Sequence, residues 1–126
     1  MAMVSPKLVV GTFAGTRVAI GLAFALAPDR LGSRSGDQSS DVLMTRSFAV
    51  REVVLGIGGL AALAGADERP AAVRTWAGLG ALTDAGDLAA ALAGVRREGL
   101  AAGVPALIAA MGLVAELWAF SALAVS

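Results

Sequence analysis

Four long runs of apolar residues follow one another along the chain, separated by short polar segments. The first run covers residues 8–27, is interrupted only by Arg17 and ends at Pro28. A helix of this length crosses the ~30 Å hydrocarbon core of a bilayer. The complete pattern predicts helices over residues 8–27, 42–65, 70–93 and 99–125. We therefore predict an all-α fold, a four-helix transmembrane bundle that forms a single domain over residues 1–126.

The residues between the runs predict where the helices begin. Asp41 is a plausible N-cap of the second helix, and Pro70 suits the first turn of the third. The segment 94–98 is expected to be a turn, and the fourth helix begins either near Gly99, with a kink at Pro105, or at Pro105 itself. Because the connections are short, sequential helices should be antiparallel neighbours in an up-down-up-down bundle.

Glycine is frequent inside the predicted helices, where small residues let helix backbones approach closely in lipid. We interpret these glycines as packing positions: Gly11, Gly15, Gly56, Gly58, Gly59, Gly78, Gly80, Gly99, Gly103 and Gly112.

Two other interpretations of the apolar runs are less favourable. A cleaved signal peptide would place Pro28 directly after the Ala25-Leu26-Ala27 site and Arg17 inside its apolar core, and neither is typical of such a peptide. A water-soluble bundle needs a wide polar face on each helix, and the first and fourth runs have none.

Composition restricts the chemistry. Ten basic and ten acidic residues give a net charge of zero, so no basic surface points to nucleic acid. The chain has no Cys and no His, which removes disulfides and the most common metal ligands. We expect no metal and no cofactor, because arginines at the depth of the carboxylates already supply positive charge.

Most of the ionisable residues inside the runs share one depth. A rise of 1.5 Å per residue places five of them about 9 to 15 Å below the side of the first and third loops: Arg17, Arg51, Glu52, Asp84 and Asp87. Arg46 lies one turn shallower. Glu116 joins this layer if the fourth helix starts at Pro105, and otherwise lies within reach of Arg74.

Helix periodicity places these groups on common faces. Trp76, Gly80, Asp84 and Asp87 lie on one face of the third helix, and Gly112 and Glu116 share a face of the fourth. An unpaired charge at mid-bilayer costs at least about 2.5 kcal/mol, so the charged faces should meet inside the bundle.

The charged cluster has two interpretations. In the first, Arg17, Arg46 and Arg51 pair with carboxylates and only hold the helices in register. In the second, the surplus carboxylates transfer protons, and Asp84 and Asp87 work as a coupled acid and base pair. The catalytic candidates are Asp84, Asp87 and Glu52, and the ligand-binding candidates are Arg17, Arg46, Arg51, Glu116 and Trp76. Trp76 also suits an interfacial anchor near the end of its span.

Two motifs carry a resemblance to a known family. Arg46-Ser-Phe-Ala-Val-Arg51-Glu52 lies in the second run, and Asp84-Ala-Gly-Asp87 follows Trp76 in the third. With these motifs the chain resembles a family of uncharacterised four-span membrane proteins, common in actinobacteria and described only as a domain of unknown function. The resemblance implies the four-span fold and the importance of these positions, and it implies no reaction.

Three functions fit these observations. One is a membrane enzyme that isomerises or cyclises a lipophilic small molecule by acid/base chemistry, with Arg17 or Arg51 holding an enolate or carboxylate. Another is an accessory subunit that docks on a membrane partner protein. The third is a proton-coupled small-molecule carrier that forms a homo-oligomer. A cavity that reaches Asp84 or Asp87 from the bilayer, with a carboxylate free of arginine, would favour the enzyme. Complete one-to-one pairing without a cavity would favour the subunit, and water access to the cluster from both faces would favour the carrier.

All three functions place the chain in the lipid bilayer of the cell membrane as a multi-pass protein. Loop charges predict its orientation. Arg30, Arg34, Arg96 and Arg97 lie on the side of the first and third loops, against Lys7, Arg69 and Arg74 on the other. The positive-inside rule therefore favours cytoplasmic first and third loops.

Overall fold

A computed structural model of the protein describes residues 4–28, 38–98 and 103–124, and it contains four α-helices. They are α1 (Pro6–Leu26), α2 (Gln38–Ala64), α3 (Pro70–Glu98) and α4 (Gly103–Ala122). No β-strand occurs within these three ranges. The all-α prediction is confirmed.

The helix boundaries agree with the apolar runs at some ends and differ at others. Pro70 begins α3 as predicted, because the first helical residues need no partner for their N–H groups. Asp41 is not the N-cap, since α2 already begins at Gln38. The predicted turn at residues 94–98 is helical instead: α3 continues to Glu98, because a single glycine costs only about 1 kcal/mol and helix-forming residues follow it.

The start of α4 lies between the two predicted positions. The helix begins at Gly103, so Pro105 occupies its first turn, where the missing N–H breaks no hydrogen bond. Gly99 lies outside the described residues. Arg30 and Arg34 lie outside them too, and the structure does not describe the side chains of Arg96 and Arg97.

The helices form a bundle of two antiparallel hairpins. Helix α1 packs along α2, and α3 packs along α4, while α2 with α3 and α1 with α4 join the hairpins. Glycine brings the first two backbones into direct contact. A Cβ atom on Gly21 would lie 2.7 Å from the carbonyl oxygen of Ala49, and one on Gly56 would lie 2.8 Å from the backbone nitrogen of Val18. No larger residue fits at either place without separating α1 from α2.

The interior consists of small side chains, and the large apolar side chains face outward. Among the described residues the buried apolar positions are almost all alanine, and Val73 is the largest side chain that is fully buried. In contrast, Met111 is 64% exposed, Leu82 71% and Ile57 55%. Five polar or charged residues are buried in the same interior. This distribution is the reverse of that in a water-soluble domain, where leucine, isoleucine and methionine fill the core.

Two described segments are long and apolar enough to cross a membrane, Pro6–Leu26 and Val42–Ala64. Only 22% of the first and 28% of the second is buried, so neither is the central helix of a packed core. A shorter apolar segment, Ala106–Ala122, lies within α4. The apolar residues of α3 are mostly alanine and glycine, which contribute little hydropathy, and the helix also carries Asp84 and Asp87.

Candidate functional site

The side chain of Arg17 connects all four helices. This residue lies near the middle of α1, is 7% exposed and donates hydrogen bonds to one carboxylate on each of the other helices. Its Nη1 atom is 2.8 Å from Oε2 of Glu52 on α2, and Nη2 is 2.8 Å from Oδ1 of Asp84 on α3. On α4, Glu116 accepts from Nε at 3.3 Å and from Nη2 at 3.2 Å. Nη2 also donates to the carbonyl oxygen of Gly80 at 3.3 Å.

Arg51 forms the second half of the cluster. Its Nη1 and Nη2 atoms bind the two oxygens of Asp87 at 2.8 and 2.7 Å, which is the two-point geometry that makes arginine–carboxylate pairs strong. Its Nε and Nη2 atoms also donate to Oε1 of Glu52 at 3.2 and 3.1 Å. Glu52 therefore bridges the two arginines. We call the six connected side chains the ionic network: Arg17, Arg51, Glu52, Asp84, Asp87 and Glu116.

Burial differs across the network. The side chains of Arg17 and Glu52 are 8% and 5% exposed, whereas those of Arg51 and Asp87 are 36% and 35% exposed. The ring of Phe48 lies 4.9 Å from the Arg51 guanidinium carbon and covers one face of it. The network thus has a dry centre at Arg17 and an accessible edge at Arg51 and Asp87.

Two glycines provide the space for two of the carboxylates. A Cβ atom on Gly80 of α3 would collide with the Glu116 carboxylate, and one on Gly112 of α4 would collide with Oδ2 of Asp84. Gly80 lies one turn before Asp84, and Gly112 one turn before Glu116. Each helix therefore places its carboxylate over the glycine of the other. Interpreting these glycines only as helix-packing positions missed this direct role in the site.

The network contains two guanidinium groups and four carboxyl groups. With every group ionised it would carry a charge of −2, which is costly in an interior of low dielectric constant. The network is electrically neutral when two of the four carboxyl groups hold a proton.

A cleft of about 390 Å³ reaches the network from the surface. Its walls carry aromatic and aliphatic side chains: Phe13, Ile20, Phe24, Phe48 and Ile108. Its inner end is charged, with Arg17, Glu52, Asp84 and Asp87. Thr16 of α1 and Ile108 of α4 are both exposed where they line it, so the cleft opens between α1 and α4.

A much smaller pocket lies on the other side of Arg17. Its volume of about 10 Å³ is close to what one water molecule needs. Arg17, Trp76, Gly80 and Glu116 are among the residues that line it. Arg17 therefore lies between the cleft and a mostly apolar pocket large enough for a single water, in which Arg17 and Glu116 are the charged groups.

The structure brings together six of the eight residues predicted for the site. Glu116, whose place depended on the start of α4, joins Arg17, and Arg74 stacks instead on the Phe120 ring at 4.3 Å. The other two lie apart from the cleft. Arg46 is exposed on the outer side of α2. Trp76 is half-buried with its ring against Gly58, and it lines the small pocket.

The donor set does not suit a metal ion. Among the described residues, no group of three or more histidine, cysteine, aspartate or glutamate side chains is arranged to hold one. The Arg17 guanidinium already occupies the position between Glu52, Asp84 and Glu116 where a cation would bind.

Comparison of the chain with known proteins adds no identification. No protein-family model matches it, and neither do curated proteins or solved structures. The resemblance to the four-span actinobacterial family therefore stays a prediction, and the function must be argued from the site.

Proposed function

We propose that the chain is an integral membrane protein whose four helices span the bilayer. The support is the distribution of side chains described above: large apolar residues such as Ile57, Leu82 and Met111 face outward on three different helices, and the centre of the charged network is buried. In lipid this arrangement gives the outward apolar side chains a favourable environment, and every charge of the ionic network has a partner. We place the first and third loops on the cytoplasmic side, as the loop arginines predict.

Single cysteine substitutions test this arrangement, because the chain has no cysteine of its own that a spin label would also modify. We expect a spin label at Ile57→Cys or Met111→Cys to be relaxed by dissolved oxygen and shielded from a water-soluble nickel chelate, as for lipid-facing positions. Asp67→Cys, in the exposed turn between α2 and α3, is the matched control and should give the opposite response. Chelate access at positions 57 and 111 equal to that at 67 would refute the membrane assignment.

Within that membrane domain we propose that the cleft binds a lipophilic small molecule and converts it by acid/base chemistry of the isomerase or cyclase type. The supporting observation is that one cavity joins apolar walls to the carboxyl groups of Asp84 and Asp87. Its volume of about 390 Å³ falls within the usual range for small-molecule sites, about 300 to 1,000 Å³. An apolar molecule entering between α1 and α4 would meet titratable groups only at its inner end.

The network supplies both a base and an acid for such a reaction. A carboxylate at the cleft, Asp84 or Asp87, takes a proton from one atom of the substrate, and a network carboxyl group that is protonated when the substrate binds returns a proton to another atom. The substrate is rearranged without net loss of a proton, and no electron acceptor is required. Glu52, which both arginines contact, links the two aspartates and would redistribute the charge between them.

A proton-coupled carrier is the second candidate, and the small pocket favours it. That pocket reaches Glu116 and Arg17 from the side opposite to the cleft. A proton on Glu116 could be exchanged there while a ligand occupies the cleft. The cleft reaches Asp84 and Asp87, as expected for an enzyme, but no network carboxylate is free of arginine, which was the second condition for that function. This pairing supports the accessory-subunit hypothesis, which however gives the cleft no role.

Purification in mild detergent followed by mass spectrometry of the intact protein and of its lipid extract tests the proposal. We expect a stoichiometric lipophilic molecule that is lost in Thr16→Trp, which fills the mouth of the cleft. Thr12→Trp is the matched control, because Thr12 is exposed one turn away on the same helix and makes the same type of hydrogen bond to a backbone carbonyl.

A molecule retained equally by both tryptophan variants would place binding elsewhere and contradict the proposal. A partner chain without any small molecule, unchanged by Thr16→Trp, would support the accessory subunit instead. Conversion of the bound molecule, lost in Asp84→Asn, separates the enzyme from the carrier.

A further inference from the structure

The charges at the inner end of the cleft select its ligand, on the assumption that the cleft is a binding site as proposed. We infer that the ligand is a lipophilic amine that binds as its ammonium cation. The inference rests on three observations: the engagement of the guanidinium nitrogens, the excess of carboxyl groups, and the aromatic lining of the cleft.

The guanidinium groups are already engaged by the protein. All three side-chain nitrogens of Arg17 donate to Glu52, Asp84 and Glu116, and those of Arg51 donate to Glu52 and Asp87. An anionic ligand would have to displace a protein carboxylate and leave it unpaired in the interior, which is strongly unfavourable. The sequence-based expectation that an arginine holds an enolate or carboxylate is therefore not favoured by this geometry.

Acceptor atoms, in contrast, remain in excess. The inner end of the cleft presents carboxyl groups of Glu52, Asp84 and Asp87, and each carboxylate oxygen accepts more than one hydrogen bond. An ammonium group donates three and accepts none, so it matches this surface.

The aromatic side chains add a second preference for a cation. Phe13, Phe24 and Phe48 line the cleft from α1 and α2, and the Phe24 and Phe48 rings contact each other edge to face at 5.1 Å. The faces of aromatic rings attract cations, most strongly in a site shielded from water. An alkyl alcohol of the same length would gain the apolar contacts and lose this attraction.

Charge balance predicts that a proton leaves when the amine binds. The charged groups that line the inner end of the cleft are Arg17, Glu52, Asp84 and Asp87. Glu116 is bonded to Arg17, and Arg51 is bonded to Glu52 and Asp87, so both belong to the same charge balance. These two cations and four carboxyl groups need two protons for neutrality. One ammonium replaces one of these protons. A carboxylic acid of the network releases its proton, and the carboxylate that results pairs with the ammonium. Binding therefore tightens as the pH rises, for as long as the free amine stays protonated.

The test compares octylamine, octanol and octanoate binding to the protein in nanodiscs of zwitterionic lipid by titration calorimetry, with empty nanodiscs subtracted. We expect saturable binding of octylamine about tenfold or more tighter than that of octanol, and no saturable binding of octanoate. Titration in two buffers of different ionisation enthalpy should give about one proton released per amine bound.

Three variants test whether the result is specific to the cleft. Thr16→Trp should abolish the saturable binding of octylamine, and Thr12→Trp should leave it unchanged. Phe13→Leu, which preserves the network, should weaken octylamine binding about two- to fivefold and leave octanol binding nearly unchanged.

Each outcome separates the inference from the proposed function. Octanol or octanoate bound as tightly as octylamine, and blocked by Thr16→Trp, would overturn the amine assignment and leave the cleft as a ligand site. Octylamine binding without proton release would refute the exchange of an ammonium for a carboxyl proton. If the unmodified protein showed neither saturable amine binding nor a copurified lipophilic molecule, the ligand site itself would be refuted.

Discussion

Replacing Arg17 by methionine removes a side chain that contacts all three other helices at the centre of the network. Methionine keeps most of the length and apolar volume of the arginine stem, so the change deletes the charge and its hydrogen bonds and creates little empty space. Glu52, Asp84 and Glu116 then lose their shared cation. Arg51 still contacts Glu52, but Asp84 and Glu116 keep no arginine partner.

Removing one partner of a buried ion pair costs about 3 to 5 kcal/mol, because it leaves an uncompensated charge or forces a carboxylate to take up a proton. Arg17 is 7% exposed, which places it in this class. We therefore expect Arg17→Met to lower the free energy of unfolding by about 3 to 5 kcal/mol.

The assay is reversible unfolding in mixed micelles of increasing dodecyl sulfate content, followed by circular dichroism. Arg74→Met is the control, because Arg74 is an exposed arginine that stacks on the Phe120 ring at 4.3 Å. Loss of an exposed cation–π contact should cost about 0.5 to 1 kcal/mol.

A second variant tests the cause of the loss. Combining Arg17→Met with Glu116→Gln removes one of the two unpartnered carboxyl groups, so the double variant should be more stable than Arg17→Met alone. If Arg17→Met lost no more stability than Arg74→Met, or if Glu116→Gln made it still less stable, the network would not be a mutually compensating ionic cluster.

The other predictions concern the shape and the edge of the network. Gly112→Ala should lower the free energy of unfolding by about 1 to 3 kcal/mol, because the new Cβ atom collides with Asp84. The control Gly86→Ala, which has open space at its Cβ position, should leave that free energy unchanged or raise it by up to about 1 kcal/mol. Unfolding in dodecyl sulfate measures both variants, and equal effects would refute the steric argument. Arg51→Lys keeps the charge but loses the two-point contact with Asp87, so it should lower the free energy of unfolding by about 1 kcal/mol, less than Arg17→Met does. A loss as large as that of Arg17→Met would contradict the division of the network into a dry centre and an accessible edge.

Helix geometry explains why much of this arrangement could be predicted from the sequence. The rise per residue is constant, so counting from the helix ends brought Arg17, Arg51 and the three carboxylates of α2 and α3 to one depth. The structure connects these five residues by hydrogen bonds. Small errors in the predicted helix ends did not affect this result. Antiparallel neighbours are joined by one short connection, so an error at that connection shifts the counted depth of both helices together.

The place of Glu116, the pairing of the carboxylates and the cleft depended on information that helix periodicity does not contain. The start of α4 at Gly103 decides that Glu116 reaches Arg17 rather than Arg74, and the alternative starts at Gly99 and Pro105 were equally compatible with the sequence. The pairing of each carboxylate with one arginine or both depends on side-chain rotamers. The cleft depends on how far the two hairpins separate, which no local pattern encodes.

A signal for the glycine contacts was nevertheless present. Both α3 and α4 carry a glycine one turn before an acidic residue, Gly80 with Asp84 and Gly112 with Glu116. In an antiparallel pair the two motifs meet in opposite order, so each glycine faces the other helix's acid. Recognising that reciprocity would have identified both glycines as part of the site.

This reciprocal contact also restricts how the protein can move. Sliding α3 along α4 would drive Asp84 and Glu116 out of the spaces at Gly112 and Gly80, and the backbone contact at Gly21 similarly holds α1 against α2. We therefore expect each hairpin to move as one rigid body, so that a change in the width of the cleft takes place between the hairpins. The hydrogen bonds of Arg17 to Asp84 and Glu116 cross that boundary, so the residue that holds these two carboxylates would also limit how far the entrance opens.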